Sequence, residues 1–298
     1  MQFNKDELII YTVLIGSNNE GLNSQPHIKD SKYRHVCLTD NKSLISNDWE
    51  IINVEPIFPK DASRSQRYFK LKPHIIFPNY KYSLYFDNTI IFKVKIEEFL
   101  DEILTDKIIN ENQPFFLAPK HSYRKDLISE FKIALKYNRA NHFKIYEQLN
   151  HYVNTNNKIL KKRPYWAGII LRNHNNEKII KHSEIWFSHL CRYTRRDQLS
   201  LLYAAQQAKI TIYEFKIDNR KSEYHTWPIE LKKRNKKCED DLTDLLPTRI
   251  HEKTEKLISN LEFEKIENNT LLFKIKSYLK FIVRIFIRIL IKIFIRFL

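Results

Sequence analysis

Short apolar segments alternate with segments of helical spacing along the first 215 residues of this 298-residue chain. Such an alternation is typical of a sheet whose strands are joined by crossover helices. The sequence therefore predicts an α/β protein with a sheet flanked by helices. The predicted strands are 8–15, 35–39, 49–54, 82–86, 115–118, 165–171 and 210–215, and the predicted helices are 63–76, 96–104, 127–154 and 196–208.

Glycine is scarce, since the chain contains only Gly16, Gly21 and Gly168. Neither the Gly-x-Gly-x-x-Gly fingerprint of dinucleotide-binding domains nor the Gly-x-x-x-x-Gly-Lys phosphate loop can be formed from these three residues. Both of these classes of nucleotide-binding protein are therefore excluded. Any nucleotide must be bound without a glycine-rich loop.

Two acids, Asp40 and Asp87, directly follow predicted strands. Ligands of open α/β sheets bind at the carboxyl ends of the strands, so both acids are candidate site residues. Asp87, followed by Asn88, could hold a divalent metal that neutralises a diphosphate leaving group. Thr89 stands where a second acid would complete an Asp-x-Asp pair. The alternative is that Asp87 and Asn88 only form a turn.

Two helices carry further candidates. Arg67 and Lys70 are three residues apart, so they share a helix face and could clamp a diphosphate. The alternative for this pair is a solvated charged face. Asp197 and Gln198 begin the last predicted helix, where an acid can line a pocket or can simply be favoured by the helix dipole.

The C-terminal segment is strongly basic. Residues 274–298 carry seven lysines and arginines and no acid, within an overall net charge of +16, and Ile, Phe, Leu and Val separate the cations. Three of these cations at mid-bilayer would cost about 2.5–3.5 kcal/mol each, so a membrane-spanning helix is disfavoured. We expect an amphipathic helix in the interface of an anionic membrane, where each cation contributes about 1 kcal/mol. The alternative is a helix packed on the protein or on a partner.

Changes in composition divide the chain into three regions. The predicted regions are an α/β domain over 1–228, a charged helical or linker region over 229–270, and the basic membrane-binding tail over 271–298. The three scattered cysteines fit a reducing compartment. The expected location is therefore cytoplasmic, peripheral on the inner face of the membrane. No nucleic-acid partner is expected, because the densest basic patch lies on the tail and not among exposed aromatic residues of the globular part.

Several motifs together resemble one family. They are 70–80 (KLKPHIIFPNY) with 83–87 (SLYFD), 121–124 (HSYR) with Glu130, 168–172 (GIILR), and 186–187 (WF) followed by 196–200 (RDQLS). Their order and spacing resemble a glycosyltransferase-like domain of plant Golgi proteins linked to mucilage polysaccharides and of bacterial polysaccharide and lipopolysaccharide loci. The order and spacing match the family from about residue 8 to residue 208. A more distant similarity is to glycogenin-like transferases.

The resemblance implies a GT-A-like fold, that is a Rossmann-like mixed sheet flanked by helices, with a C-terminal amphipathic helix in addition. It implies a hexosyltransferase that moves a sugar from a nucleotide-sugar to a glycan or glycolipid acceptor. The expected donor is a UDP-sugar, and the expected cofactor is Mn²⁺ or Mg²⁺. It places Asp197 and Gln198 at the reacting carbon. The implied donor-binding residues are Tyr11, Asp40, Arg67, Lys70, Asp87 and Asn88, and the implied metal ligands are Asp87 and His225.

Thr89 in place of a second acid is a departure from the family pattern of metal binding. Two other functions stay open at this point. One is a membrane-surface lipid hydrolase, since one plant relative has been called a ceramidase, although the sequence contains no motif for a nucleophile or a metal-bound water. The other is a basic nucleic-acid-binding protein.

Overall fold

The computed structural model describes residues 3–16, 22–104, 112–227 and 252–262. The chain forms two compact units, Met1–Leu245 and Leu246–Leu298. Residues 252–262 are helical within the second unit. The predicted boundary at residue 228, most of the charged region 229–270 and the whole predicted tail helix lie outside the described residues, so these three features stay predictions.

The first unit contains a seven-stranded sheet in the order β3-β2-β1-β4-β7-β6-β8 and a separate two-stranded sheet of β5 and β9. The strands are β1 (Leu8–Leu14), β2 (Arg34–Thr39), β3 (Glu50–Asn53), β4 (Tyr82–Phe86), β5 (Ile91–Phe92), β6 (Phe116–Leu117), β7 (Ile169–Arg172), β8 (Ile212–Tyr213) and β9 (His225–Thr226).

Seven helices accompany the strands in the described part of this unit. They are α1 (Ala62–Leu71), α2 (Pro73–Ile76), α3 (Ile96–Leu104), α4 (Leu127–Lys136), α5 (His142–Leu160), α6 (Glu177–Arg192) and α7 (Asp197–Gln207). The predicted mixed sheet flanked by helices is confirmed. Within the described ranges, no helix is both long and apolar enough to cross a membrane.

The register of the large sheet brings several strand ends to one edge. Strands β1 to β4 pair in parallel, so they all end at this edge. Strand β7 is antiparallel to β4, with Phe86 opposite Ile169, and so begins there. Strand β6 is antiparallel to β7 and parallel to β8, so both end at this edge again. We call it the carboxyl edge.

The two faces of the sheet are covered by different helices. All seven residues of β1 are buried, as expected for a central strand with helices on both faces. Alternate residues of β1 and β4, such as Tyr11 and Tyr85, pack on one face with residues of α1, α6 and α7. The other residues of these strands pack with α3. The candidate site therefore forms where the α1, α6 and α7 layer meets the carboxyl edge.

Two helices differ from the sequence prediction. The predicted helix 127–154 is interrupted, because α4 ends at Lys136 and Asn138 adopts a φ of 48° that Asn tolerates better than most residues. Asn141 then caps α5 by accepting the backbone N–H of Lys144. Helix α6 was not predicted as a helix, although Asn176 caps its N-terminus in the usual way.

Candidate functional site

A buried lysine joins two acids at the carboxyl edge. Lys70 Nζ lies 3.2 Å from Asp87 Oδ1 and 2.8 Å from Asp197 Oδ2. Arg67 Nε lies 3.3 Å from the same oxygen of Asp197. These four residues, which we call the acid–lysine cluster, come from α1, β4 and α7. The side chain of Lys70 is 1% exposed and that of Asp197 is 5% exposed, whereas 26% of Asp87 is exposed. Asp87 is therefore the acid that solvent, and hence a ligand, can reach.

The direction of α1 explains why Lys70 is deeper than Arg67. The helix runs antiparallel to β1, since Gln66 donates to the carbonyl of Val13 and the Tyr11 hydroxyl donates to the carbonyl of Lys70. Arg67 is thus almost one turn closer to the carboxyl edge, and 19% of its side chain is exposed. Helix side chains point towards the helix N-terminus, which directs the Lys70 ammonium up towards Asp87. Lys70 was predicted to contact a diphosphate, but its ammonium group is buried between two carboxylates and cannot be reached directly.

The cations keep Asp197 ionised in spite of its burial. Burial alone would raise the pKa of Asp197, but Lys70 and then Arg67 outweigh it and hold that pKa well below the usual range. The guanidinium of Arg67 responds in the opposite direction: burial would lower its pKa, yet Asp197 and Asp87 raise it. Asp197 and Arg67 are therefore both charged at neutral pH.

Neighbouring aromatic groups fix the two acids in place. The Tyr85 hydroxyl donates to Asp87 Oδ1 over 2.8 Å, and Lys70 Nζ lies 4.7 Å from the centre of the Tyr85 ring. Burial and the charge of Asp87 raise the pKa of Tyr85, so it stays a hydrogen-bond donor. Trp186 Nε1 donates to the backbone carbonyl of Asp197 over 3.0 Å, which ties the start of α7 to α6.

Gln198, the other predicted catalytic residue, lies beside Asp197. Its backbone N–H donates to Asp197 Oδ1 over 3.1 Å. Its side-chain oxygen is buried, and within the described part of the chain it accepts no hydrogen bond. A buried acceptor without a donor costs free energy, and such groups are found where a ligand completes the hydrogen bonding.

Tyr11 was expected to contact the donor nucleotide, and the structure gives it another role. Its side chain is fully buried, and its hydroxyl donates to the carbonyl of Lys70 over 2.6 Å. The buried guanidinium of Arg172 donates to the same two oxygens. Tyr11 and Arg172 therefore support the C-terminal end of α1 from below and do not face a ligand.

Asp40 and Asn88 lie at the carboxyl edge but outside the acid–lysine cluster. Both carboxylate oxygens of Asp40 accept the backbone N–H of Gly16, at 3.0 and 3.2 Å, which links the ends of β1 and β2. The carbonyl of Asn88 accepts the side-chain amide of Asn23. Both residues are partly exposed, so both can still contact a ligand at this edge.

His225 does not have the environment of a metal ligand. Its side chain is fully buried and stacks on Trp166 at 5.8 Å between ring centres. One ring nitrogen contacts Ser222 Oγ at 2.8 Å, and the other lies 3.3 Å from the carbonyl of Asn219. Both nitrogens are thus engaged in a tight turn, which corrects the expectation that His225 binds a metal.

The remaining groups do not form a metal site held by the protein alone. The described residues contain no group of three or more histidines, cysteines and acids that could surround an ion. Thr89, in the position of a second acid, accepts a hydrogen bond from Trp227 Nε1. Asp87 is the one predicted ligand that is partly exposed, and Lys70 already lies against one of its oxygens.

A second group of charges lies next to the acid–lysine cluster. The carboxylate of Glu130 is fully buried and accepts Arg124 Nε at 2.7 Å and Arg196 Nη2 at 2.8 Å. Arg196 directly precedes Asp197 and helps to lower the pKa of that acid. Of these residues, Glu130, Arg124 and Arg196 were noted in the sequence only as parts of family motifs.

Three supporting residues of the site, Tyr85, Arg172 and Trp186, were also noted in the sequence only as parts of family motifs, without a role. Tyr85 could have been found, because residues two apart on a strand point to the same face and Asp87 follows two positions later. Arg172 and Trp186 had no usable local signal, since their partners Lys70 and Asp197 are distant in sequence or belong to another helix.

Three comparisons with known proteins were made, and the family model agrees with the motifs. No curated protein matches the sequence. Among solved structures, the apo structure of the bifunctional glycosyltransferase WbbM is similar with a TM-score of 0.43 and 13% sequence identity, over 72% of this chain and 40% of WbbM. The chain thus spans two fifths of the length of that structure. The model of the family "TOD1/MUCI70, glycosyltransferase-like domain" matches residues 27–225, about two thirds of the chain, and includes the acid–lysine cluster. The chain belongs to the TOD1/MUCI70 family of glycosyltransferase-like domains.

Proposed function

We propose that this member of a glycosyltransferase-like family transfers a sugar from a nucleoside diphosphate donor, with UDP-sugars as the first candidates, to a glycan or glycolipid acceptor. The observation that carries the proposal is the pairing of Asp87 and Asp197 through Lys70 at the carboxyl edge. A buried lysine paired with two acids, one of them also buried, is costly to maintain, and such groups are typical of functional sites. The family membership favours glycosyl transfer over other chemistry at such a site.

The site residues would divide the work according to their exposure. Arg67 is more exposed than Lys70 and would contact the diphosphate, since two N–H groups of a guanidinium can donate to two phosphate oxygens. Lys70 would act as a positioning residue that holds both acids. The ionised but buried Asp197 would act through its charge and without direct contact, stabilising the positive charge that develops at the sugar carbon as the diphosphate leaves. Gln198 would present its unpaired oxygen to the donor sugar or the acceptor.

Asp40 and Asn88 would complete the donor site from the β1 and β2 side. They lie at the same edge of the sheet as Asp87, where nucleotides bind in open α/β sheets. Because the described residues do not surround a metal by themselves, the proposed neutralisation of the diphosphate relies on Arg67. A divalent cation that is brought in with the diphosphate and held by Asp87 stays a prediction, and the experiment below includes it.

The tail supports a location on the membrane. We propose that residues 271–298 bind an anionic membrane surface on its cytoplasmic side, because seven cations without an acid alternate there with apolar residues. The enzyme would then meet a membrane-associated acceptor. A lipid hydrolase would need a nucleophile or a metal-bound water instead. The Ser222–His225 contact does not supply it, since this hydroxyl also accepts two backbone N–H groups of its own turn.

The donor is tested by thermal shift with a panel of nucleotide-sugars and UDP, with and without Mn²⁺, followed by calorimetry on the best ligand. We expect Arg67→Ala to weaken UDP binding by about tenfold or more, because a charge-assisted contact contributes about 1.5–3 kcal/mol. Asp87→Asn should abolish sugar transfer while the protein stays folded. Stabilisation by UDP that requires Mn²⁺ would support a metal brought in with the donor.

Lys60→Ala is the matched control for Arg67→Ala, because Lys60 is an exposed cation just before the same helix. It should leave the UDP affinity unchanged. If no nucleotide or nucleotide-sugar binds the wild-type protein, or if Arg67→Ala and Lys60→Ala bind UDP equally well, the proposed donor site is wrong.

A further inference from the structure

The charges around Glu130 are not balanced. Each oxygen of the buried Glu130 carboxylate accepts one arginine, Arg124 at 2.7 Å and Arg196 at 2.8 Å. Arg139 is a third guanidinium close enough to interact with all three groups. In the part of the chain that the structure describes, the Arg139 side chain has no carboxylate within ion-pair distance. Three cations therefore share one acid.

The neighbouring His121 does not change the excess of positive charge around Glu130. Burial lowers the pKa of His121 to about 4, so the ring is neutral at neutral pH. Burial and then the charge of Arg196 also lower the pKa of Arg139. We call Arg124, Arg139 and Arg196 with Glu130 the arginine cluster. It has a surplus of two positive charges in a partly buried position.

The arginine cluster lies on the other side of Asp87 from the proposed nucleotide site. In the sheet order, β1 and β2 with Asp40 are on one side of β4, and β6 is on the other side. Residues 121–124 follow β6 at the carboxyl edge, and Arg196 is the residue before Asp197. A group bound by these arginines would therefore be next to the acid that we place at the reacting carbon, on the side that the nucleotide leaves free.

A cleft with a positive excess lies beside residues 120–122, which precede Arg124 of the cluster. Arg163 donates to the backbone carbonyl of His121 over 3.0 Å and lines a cleft of about 360 Å³ together with Lys120 and Lys216. Glu214 and Asp218 also line it, so the cleft has a smaller positive excess than the arginine cluster. A chain-like ligand could thus extend from the arginines into the cleft.

We propose that the arginine cluster binds an oxyanion of the acceptor, a carboxylate or a phosphate ester, and that the acceptor is an acidic glycan. That the bound molecule is the acceptor rests on the proposed function. Guanidinium groups match the planar oxygen pairs of both anions, and surplus buried positive charge is stabilised when an anion arrives. Arg139 is the guanidinium most available for this contact, since Glu130 already engages the other two.

The test uses the full-length protein saturated with UDP, so that the donor site is filled. Glucuronate, glucose 6-phosphate and neutral glucose are titrated separately by calorimetry at low salt. We expect at least one of the two anions to bind and glucose not to bind, and the stronger anion identifies the acidic group. Arg139→Gln should weaken anion binding by about tenfold, the loss of one charge-assisted contact. It should leave the UDP affinity unchanged.

The stability of the variants distinguishes a binding residue from a structural one. Arg139→Gln should leave the melting temperature unchanged or raise it, because the substitution relieves repulsion among the arginines. Lys136→Gln, an exposed cation at the end of α4, is the matched control and should leave anion binding unchanged. The proposal is overturned if neither anion binds the UDP-saturated protein, or if Arg139→Gln binds the anion as well as the wild type.

The two proposals can fail separately. If the wild-type protein does not bind UDP, the anion titrations are made without UDP on the Arg67→Ala variant. Anion binding that still depends on Arg139 would keep the oxyanion site and discard the donor site. Normal UDP binding without any Arg139-dependent anion binding would keep the donor site and discard the oxyanion site.

Discussion

Burying the charged side chain of Lys70 costs free energy of folding. Its ammonium group is 1% exposed and is paired with two carboxylates, one of them also buried. Taking such charges out of water costs several kcal/mol per ion, and a well-packed apolar residue is often equally stable or better. Removing one partner from a buried pair typically costs about 3–5 kcal/mol. A contribution to folding stability therefore does not explain why Lys70 is buried between the two carboxylates. This favours a functional role for the two acids.

The buried histidines make the protein sensitive to acid. His182 is fully buried and packs edge-on against Phe116 at 4.9 Å and beside Trp186 at 5.3 Å. Burial lowers its pKa to about 3, whereas the same side chain in the unfolded chain has a pKa of about 6.5. Between these values the unfolded state binds more protons, so stability is fully present above about pH 6.5 and falls as the pH falls towards 3.

We predict that His182→Phe reduces this acid sensitivity. The variant keeps a planar ring but has no proton to bind, so the loss of unfolding free energy between pH 7 and pH 5 should be smaller than in the wild type by about 2 kcal/mol. Urea unfolding at both pH values measures it. His27→Gln, on an exposed histidine, serves as the control and should behave like the wild type. An equal pH dependence of wild type and His182→Phe would contradict the account.

At the scale of elements, the position of α1 depends on one glycine. Gly16 follows β1 with a φ of +73°, and a Cβ atom added there would lie 2.3 Å from the Cβ of Ala62, the first residue of α1. The helix can thus start close to the end of the strand, which brings Arg67 and Lys70 to the carboxyl edge. Asp40 accepts the N–H of Gly16 and fixes the same turn.

We predict that Gly16→Ala destabilises the protein by about 1–3 kcal/mol, from the positive φ and from the contact with Ala62. The displaced helix should also weaken UDP binding. The double variant Gly16→Ala with Ala62→Gly should recover part of the stability, because the contact is removed and only the backbone strain stays. Urea unfolding of the wild type, both single variants and the double variant measures this coupling. Strictly additive effects would show that the close approach is not the cause.

At the scale of the whole molecule, the charge of the tail is expected to determine where the enzyme acts. The family match ends at residue 225, and the seven cations of the tail begin at residue 274. The tail is therefore expected to bind the membrane and not to build the active site. Exposed charges are screened by salt, so its binding to anionic lipid should weaken as the ionic strength rises.

We predict that truncation after Asn269 yields a folded protein that still binds UDP but no longer sediments with vesicles. The full-length chain should bind phosphatidylserine-containing vesicles and hardly bind pure phosphatidylcholine vesicles, with loss of binding at high salt. Equal binding to neutral vesicles would show that apolar burial dominates. A truncated chain that does not fold would show that the tail packs on the protein, and the membrane-anchor proposal would be wrong.

Local sequence patterns were sufficient for most elements of the fold. The strand before Asp87 and the helix 96–104 agree with the structure residue for residue, because a short apolar run and helical spacing report directly on local burial. The prediction of one helix over 127–154 was wrong because its break depends on an Asn in a left-handed conformation. An Asn can also stand on the exposed face of a helix, so this residue type did not mark the break in the sequence. The glycine count excluded two classes of nucleotide site without any structure.

What the sequence alone determined is thus the α/β class, the family, and the acids at the ends of strands. The tertiary structure decided which of these residues meet. Lys70 is 17 residues from Asp87 and 127 residues from Asp197, and only the order of the strands and the packing of both α1 and α7 against α6 bring the three together. The tertiary structure also buried Tyr11 and His225, which the sequence had placed at the ligand. Local patterns of polar and apolar residues indicate which side of each segment is buried and which is exposed to water. A site depends instead on contacts between segments that are distant in sequence, and these contacts form only when the sheet is assembled.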